Sequence, residues 1–475
     1  MSTANTPIGS LIGGSHVEGG RRVPVIDQFR GTPFGEVYEA TPEHVTAAVT
    51  AALEAFDGDR LTAQDRYRIL LRASDLLAQR RDALAETYAR ETGFTVGDGV
   101  MEIDRAVQTL IASAEEAKRV VGEVIPIEAA PGMQNRMAFT VRMPVGVVGA
   151  INTFNSPVNG NCHKVGPALA AGNTVVLKPA ETTPMCALAL AEVLRDAGLP
   201  DGYLNVVFGG PDVGMALLRD RRVGFYTFTG SSKVGEIIKR ESGLRRVQLE
   251  LGNNSATIVC ADADLDKAAP LLVSGGFRKA GQVCTSVQRV YVHHSVADAL
   301  VERMAAETER LVTGDPFDPS TDVGPMGSVE RAEQLESWIQ EAVSQGARLV
   351  CGGRREGALL EPTLLSNGSQ TMRVVCEEVF GPVVTVVPFD TFDDALALVN
   401  DSPYGLQAGV FTRDLATAFK AVRTLRVGGL NVNDTSNKRA DLMPYGGVKA
   451  SGMGREGPRY AVREMTDERI VIFNL

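Results

Sequence analysis

From residue 145 onward the chain alternates short, nearly continuous apolar runs with stretches of helical period. The runs are VGVVGAI (145–151), NTVVLKPA (173–180), LNVVFG (204–209), GFYTFTG (224–230) and RVQLEL (246–251). Four helices of about 8 to 16 residues fit between them. Strands apolar on both faces belong in a parallel sheet covered by helices on both sides. Such a sheet binds ligands at the carboxyl ends of its strands. A second α/β series follows Gly252: TIVC, a helix over 265–279, QRVYVH, a helix from Val296 to Val312 and, far along, GGLNVN at 428–433. The expected fold class is α/β, with two open parallel sheets.

The first 120 residues read as helical. Thr41-Pro42-Glu43 is a helix start, with a capping hydroxyl, a proline at the first position and a carboxylate at the positive end of the dipole. Val45, Ala48, Val49, Ala52 and Phe56 then form an apolar stripe. A second helix is expected over 62–90 and a third over 97–122. Two polar-alternating segments, 134–144 and 468–475, read as isolated β strands that pair with each other or with another subunit. Boundaries fall near 252 and 430, and a chain of 475 residues accommodates about three domains.

Composition narrows the class. Apolar residues are 44% and charged residues 22%, ordinary for a soluble globular protein. A net charge of −10 gives no attraction to nucleic acid or to an anionic membrane. No apolar run reaches the roughly 18 to 20 residues that cross a bilayer, and the N-terminus lacks the apolar core of a signal peptide. The cysteines at 162, 186, 260, 284, 351 and 376 never form CxxC and read as reduced thiols. Five histidines without HExxH give no support to a metal site. The expectation is a cytoplasmic, multi-domain enzyme.

The formal GxGxxG at Gly452, Gly454 and Gly457 follows no strand and has too little chain after it for a dinucleotide unit. No GK dipeptide exists, which excludes a Walker A loop. Gly230-Ser231 directly follows an apolar strand and opens a helix, so it serves either as a plain turn or as a pyrophosphate cradle. Cys284 lies in a loop between a helix and a strand, where a thiol is presented to a cleft; elsewhere a free cysteine is simply a small buried hydrophobe. Glu250 and Asn155 stand at carboxyl ends of strands, as a strand's polar side and a turn residue or as ligand-facing groups. If the three face one cleft, they supply the chemistry of a nucleophile, a base and an oxyanion donor.

With these residues in place, the chain resembles the aldehyde dehydrogenase superfamily over essentially its whole length. GVVGAINTFNSPVNGNCHKVGPALAAGNTVVLKPAETTP resembles the family's oxyanion and cofactor block, FTGSSKVG its cofactor turn, LELG its base, GQVCT its nucleophile and EEVFGPV its nicotinamide-ribose clamp. PYGGVKASGMGREG is similar to the branch holding lactaldehyde and semialdehyde dehydrogenases. The resemblance implies Cys284 as nucleophile, Glu250 as the base that activates water, and Asn155 as oxyanion donor beside the Cys284 backbone N–H. It implies Lys178 and Glu181 at the adenosine ribose, Gly230 and Ser231 at the pyrophosphate, and Glu378 and Phe380 at the nicotinamide end. It further implies NAD(P) as cofactor, with NAD expected to be preferred because Glu181 would repel a 2′-phosphate.

The implied organisation is a cofactor domain (1–123 and 145–252), a catalytic domain (253–450), and a β oligomerisation arm with C-terminal segment (124–144 and 451–475), assembling as a dimer or tetramer. Departures are Asn253 for the usual second glycine after LELG, Thr153-Phe154 for an aromatic pair, and Ser156 and Gly160 for bulkier residues of the substrate funnel. A roomier, more polar funnel follows, with Arg105 and Arg439 placed to fork an anionic group of a small aldehyde. Val283 counts against this, since some phosphorylated-aldehyde enzymes carry arginine there. The rivals are a CoA-acylating semialdehyde dehydrogenase, disfavoured by Glu250, and a non-catalytic protein retaining the fold.

Overall fold

A computed structural model describes residues 7–475. All five expected strands lie side by side, in the order Leu204–Val206, Thr174–Lys178, Val147–Ile151, Val223–Thr229, Arg246–Glu250, each parallel to the next. Every residue of Val147–Ile151 and Thr174–Lys178 is buried, as a sheet covered on both faces requires. The covering helices are Asn159–Ala171, Pro184–Asp196, Pro211–Arg219 and Ser232–Ser242. Asn159–Ala171 is buried around nearly its whole circumference, wedged against Val96–Ala117 and Pro458–Glu464.

The second sheet runs Arg348–Cys351, Thr363–Ser366, Val383–Phe389, Arg289–His293, Ala256–Val259, Gln407–Phe411, Gly429–Val432, parallel except for its first pair. The two isolated β segments pair with each other. Arg136–Pro144 and Thr466–Asn474 run antiparallel, from Thr466 opposite Pro144 to Asn474 opposite Arg136, with Val124–Ile125 on the far side. Met137, Ile470, Ile472 and Phe473 of this small sheet are about half exposed. Of the C-terminal segment only 466–474 joins it; Gly452–Met453 instead closes the edge of the first sheet beside Arg246–Glu250.

The helical reading of the first 120 residues holds only after residue 41. Four strands precede it: Ser10–Ile12, Ser15–Val17, Arg22–Ile26 and Pro33–Tyr38. The first two form a hairpin whose two-residue turn, Gly13-Gly14, has φ of 56° and 85°, the backbone that a tight hairpin demands and glycine supplies. The Thr41 cap is present, its hydroxyl accepting from the His44 N–H, and the helix spans Pro42–Asp57. The single helix expected over 62–90 is two, Ala63–Gln79 and Arg81–Thr92, because Arg80 leaves helical geometry (ψ 6°). The six cysteines are all unpaired. Among the described residues no helix is long and apolar enough to cross a membrane, and no cluster of three metal-ligating side chains forms.

Candidate active site

Four neighbouring strands of the first sheet end together. Ile151 lies opposite both Lys178 and Phe228, and Thr229 opposite Glu250. Beyond these ends opens a cavity of 640 Å³ whose wall includes Asn155, Glu250 and Cys284, drawn from three separate stretches of chain. Gly230, Ser231, Glu378 and Phe380 line the same space, as do Arg105, Ser156, Gly160 and Arg439. Lys178 and Glu181 lie outside this lining, on the adjoining rim near Gly210 and Gly214.

Cys284 is delivered by a contorted loop. Lys279, Ala280 and Gly281 all have left-handed backbone, with φ of 54°, 51° and 67°. A Cβ on Gly281 would fall 2.0 Å from the Gly381 carbonyl oxygen, so glycine is required there. Non-glycine residues in this region cost about 1–3 kcal/mol each, and such strain persists only where the surroundings hold it. Here Lys279 Nζ, buried, donates to Glu102 Oε2 at 2.5 Å and to the Asn155 carbonyl at 2.9 Å. Glu102 Oε1 in turn accepts from the Ser156 hydroxyl and from the Val158 and Asn159 N–H groups. One buried ion pair therefore ties the Cys284 loop to the loop carrying Asn155.

The thiol of Cys284 lies 2.9 Å from the Tyr445 hydroxyl. Burial pushes its pKa up to about 11, with Tyr445 and Arg439 pulling down and Glu250 and Glu378 pushing further up. Asn155 uses one amide N–H on the Gln282 carbonyl at 2.8 Å and keeps the other free. The Cys284 backbone N–H has no acceptor among the described residues. These two unused donors, both on groups of the same cavity wall, are what an oxyanion needs. Both carboxylate oxygens of Glu250 are buried without a partner. Burial, reinforced by Glu456, raises its pKa well above the usual carboxylate range, which makes it a stronger base once ionised.

Several residues here were not singled out in the sequence. Lys164 is fully buried, its ammonium 3.0 Å from Glu456 Oε1 and 2.6 Å from Thr229 Oγ1. Arg439 Nη2 donates to Glu456 Oε2 at 3.2 Å and lies 3.1 Å from His163 Nε2. Asp441 accepts from Arg105 through two contacts, 2.8 and 3.1 Å, and from Asn159. The sequence signal was the presence of His163 and Lys164 within an otherwise apolar helix, where charge is rare unless paired. Glu456 sits inside the GMGREG stretch that is no nucleotide motif.

The four substrate-facing expectations change accordingly. Ser156 adds no free hydroxyl, because it donates to Glu102. Gly160 leaves no surplus room, since a Cβ there would come within 2.8 Å of the Asn152 amide. Arg105 and Arg439 share one cavity wall, but each is already paired with a carboxylate of the protein. Arg439 Nε is nevertheless buried with no partner.

The cofactor-facing residues fit a dinucleotide. Lys178 is buried and donates only to its neighbour's Pro179 carbonyl at 3.2 Å, leaving ammonium N–H groups for ribose hydroxyls. Gly230-Ser231 stands at the N-terminus of Ser232–Ser242, where Ser231 Oγ caps the Val234 N–H. Glu378 Oε1 accepts from the Asn253 N–H at 2.8 Å, so asparagine in place of the usual glycine still supports the clamp. Burial raises Glu378 to about 7. Phe380 holds its place by an edge-on contact with Phe154, ring centroids 6.2 Å apart.

The sequence profile of the aldehyde dehydrogenase family matches residues 16–471. A 3-sulfolactaldehyde dehydrogenase of Priestia aryabhattai is 51% identical over 468 residues, covering 98% of each chain. An NADP-dependent enzyme of E. coli superposes with a TM-score of 0.96 at 34% identity, covering 100% of both chains. Aldehyde dehydrogenase 21 of Physcomitrella patens, solved with its reaction product succinate, gives 0.96 at 34% identity over 99% of each chain. The chain thus belongs to the aldehyde dehydrogenase family, whose members oxidise an aldehyde to a carboxylic acid with NAD(P).

Proposed function

We propose that this enzyme is a non-acylating dehydrogenase, preferring NAD, for a short aldehyde that carries an anionic group remote from its carbonyl. Cys284, as thiolate, attacks the carbonyl carbon, and the free N–H groups of Asn155 and Cys284 receive the charge that develops on oxygen. A nicotinamide, which Glu378 and Phe380 on the cavity wall would hold, would supply the acceptor for the hydride of the substrate carbon. Glu250 then removes a proton from water, which attacks the thioester and frees the acid and Cys284. A base held unpaired in a buried wall favours hydrolysis over transfer to CoA.

Arg439 carries the substrate part of this reading. Its guanidinium is on the cavity wall, stacked 3.6 Å from the ring centroid of Tyr445, with a buried Nε that has no partner. Burial alone would lower its pKa, but Tyr445, Glu456 and Asp441 hold it protonated above its ordinary range. Arg105, Arg278, Lys279 and Lys438 line the same cavity. The named substrate of the Priestia relative is a sulfonate, and the product bound by the Physcomitrella enzyme is a dicarboxylate. A three-carbon aldehyde bearing sulfonate or carboxylate should exceed its neutral isostere about tenfold in kcat/KM, as one charge-assisted hydrogen bond contributes roughly 1.5–3 kcal/mol. Arg439→Ala should erase the preference by raising KM for the anionic aldehyde. Equal kcat/KM for the two aldehydes in the wild type overturns the reading.

NAD preference rests on Glu181, exposed on the cofactor rim, which repels a 2′-phosphate, while Lys178 offsets part of that repulsion. The kcat/KM with NAD should exceed that with NADP; equality or reversal refutes it. The half-exposed apolar residues on both faces of the small antiparallel sheet support self-association as a dimer or tetramer. Six unpaired cysteines support a reducing compartment such as the cytoplasm.

A further inference from the structure

We propose that Tyr445 is a catalytic residue: its hydroxyl donates a hydrogen bond to Sγ of Cys284 and holds the nucleophile as a thiolate. The inference rests on Cys284 being the nucleophile and adds a second group that touches the reacting atom.

The geometry fixes the hydroxyl in place. Tyr445 is 2% exposed. Its backbone is pinned by two reciprocal hydrogen bonds with Glu456, Tyr445 N–H to Glu456 carbonyl at 3.1 Å and the reverse at 2.7 Å. Arg439 covers one face of the ring at 3.6 Å. The phenol oxygen has Cys284 Sγ, 2.9 Å away, as its hydrogen-bond partner. While both groups are neutral, either is able to donate. Once the thiol ionises, sulfur is an acceptor only and the phenol is the donor.

The surrounding charges act in opposite directions. Arg439 faces both groups and favours the thiolate; Glu250 and Glu378 face Cys284 and oppose it when ionised. Glu250 also faces Tyr445, and burial keeps the phenol protonated, hence a donor, where the thiol titrates. In the ionisation step the S–H bond breaks, its electron pair stays on sulfur and the proton passes to water in the open cavity. In the attack that pair forms the C–S bond while the carbonyl π pair moves to oxygen. Sulfur then carries no charge until hydrolysis breaks the C–S bond and returns the pair to it, where the same hydrogen bond assists its departure.

The ionisation step sets the test. Tyr445→Phe keeps the ring under Arg439 and removes only the hydroxyl. Alkylation of Cys284 by iodoacetamide, followed between pH 7 and 9 on the Cys284 peptide by mass spectrometry, needs no substrate. A thiol pKa raised by about one unit lowers the thiolate fraction tenfold, and the greater nucleophilicity of a more basic thiolate returns part of it. The net expected loss is about threefold in alkylation rate at each pH. The burst of reduced cofactor with a neutral short aldehyde should slow likewise, whereas NAD binding and the thermal midpoint should not change. A general disturbance of the site moves those as well.

Replacing Tyr445 with 3-fluorotyrosine, a more acidic phenol of nearly the same size, should speed alkylation; this comparison stands even if the phenylalanine variant does not fold. Superimposable alkylation profiles in wild type and variants overturn the role of Tyr445 and leave Cys284 as nucleophile. If alkylated Cys284 retains full turnover, the nucleophile assignment falls and the role of Tyr445 with it.

Discussion

Cys284→Ala is expected to reduce aldehyde-dependent cofactor reduction to background, a loss of at least about 10³-fold, since nothing else at the site forms the covalent intermediate. The other cysteines offer no substitute. Cys162, Cys186 and Cys260 are buried in the cores, and Cys351 and Cys376 lie away from the cavity wall. The Cys284 side chain touches Tyr445, and its loop is held by Lys279 and Gly281, so truncating one sulfur leaves the anchoring contacts in place. Binding of NAD, followed by fluorescence, and the thermal midpoint should match wild type. Turnover above a few per cent of wild type contradicts the assignment.

Glu250→Gln is expected to separate the two halves of the reaction. The amide cannot take a proton from water, so hydrolysis should slow by about 10²-fold or more while acylation continues. Rapid mixing should give a stoichiometric burst of reduced cofactor followed by slow turnover. The pH dependence has a definite sign. Burial raises the Glu250 pKa well above the usual range, so the wild-type hydrolysis rate should climb as pH rises through it, and the glutamine variant should lose that limb. The same shift means that the folded protein retains a proton which the unfolded chain releases in the ordinary glutamate range. Stability from this group is therefore lost as pH rises, and glutamine should flatten that slope. Unchanged steady-state turnover leaves Glu250 as a mere strand residue.

The central sheet was legible because its strands are apolar on both faces, a pattern that leaves no alternative to a covered parallel sheet. Glu250 and Asn155 were legible for the same reason, as polar groups at or just after the end of such a run; Cys284 was legible as a thiol in a loop between a helix and a strand. The short edge strands at 10–38 were not, because three to six residues carry too little period; the Gly13-Gly14 pair was the one local sign. Nor was the break at Arg80, which stands between the two helices without a capping side-chain hydrogen bond and without an interruption in the pattern. The interior of the site was hidden for a different reason. Tyr445, Glu456, Asp441 and Lys164 meet only because the chain after residue 434 folds back over Asn159–Ala171, and pairing of charges so far apart in sequence has no local trace. The same closure explains why Arg105 and Arg439, expected as free anion ligands, already hold Asp441 and Glu456.

The most direct measurement is the mass of the Glu250→Gln enzyme quenched in acid during the slow phase, with NAD and a short aldehyde present. The account predicts a mass increase equal to the acyl group, located on the peptide containing Cys284, absent when NAD is omitted and discharged by hydroxylamine. A fully reacted burst with no adduct, or an adduct on any other residue, contradicts it.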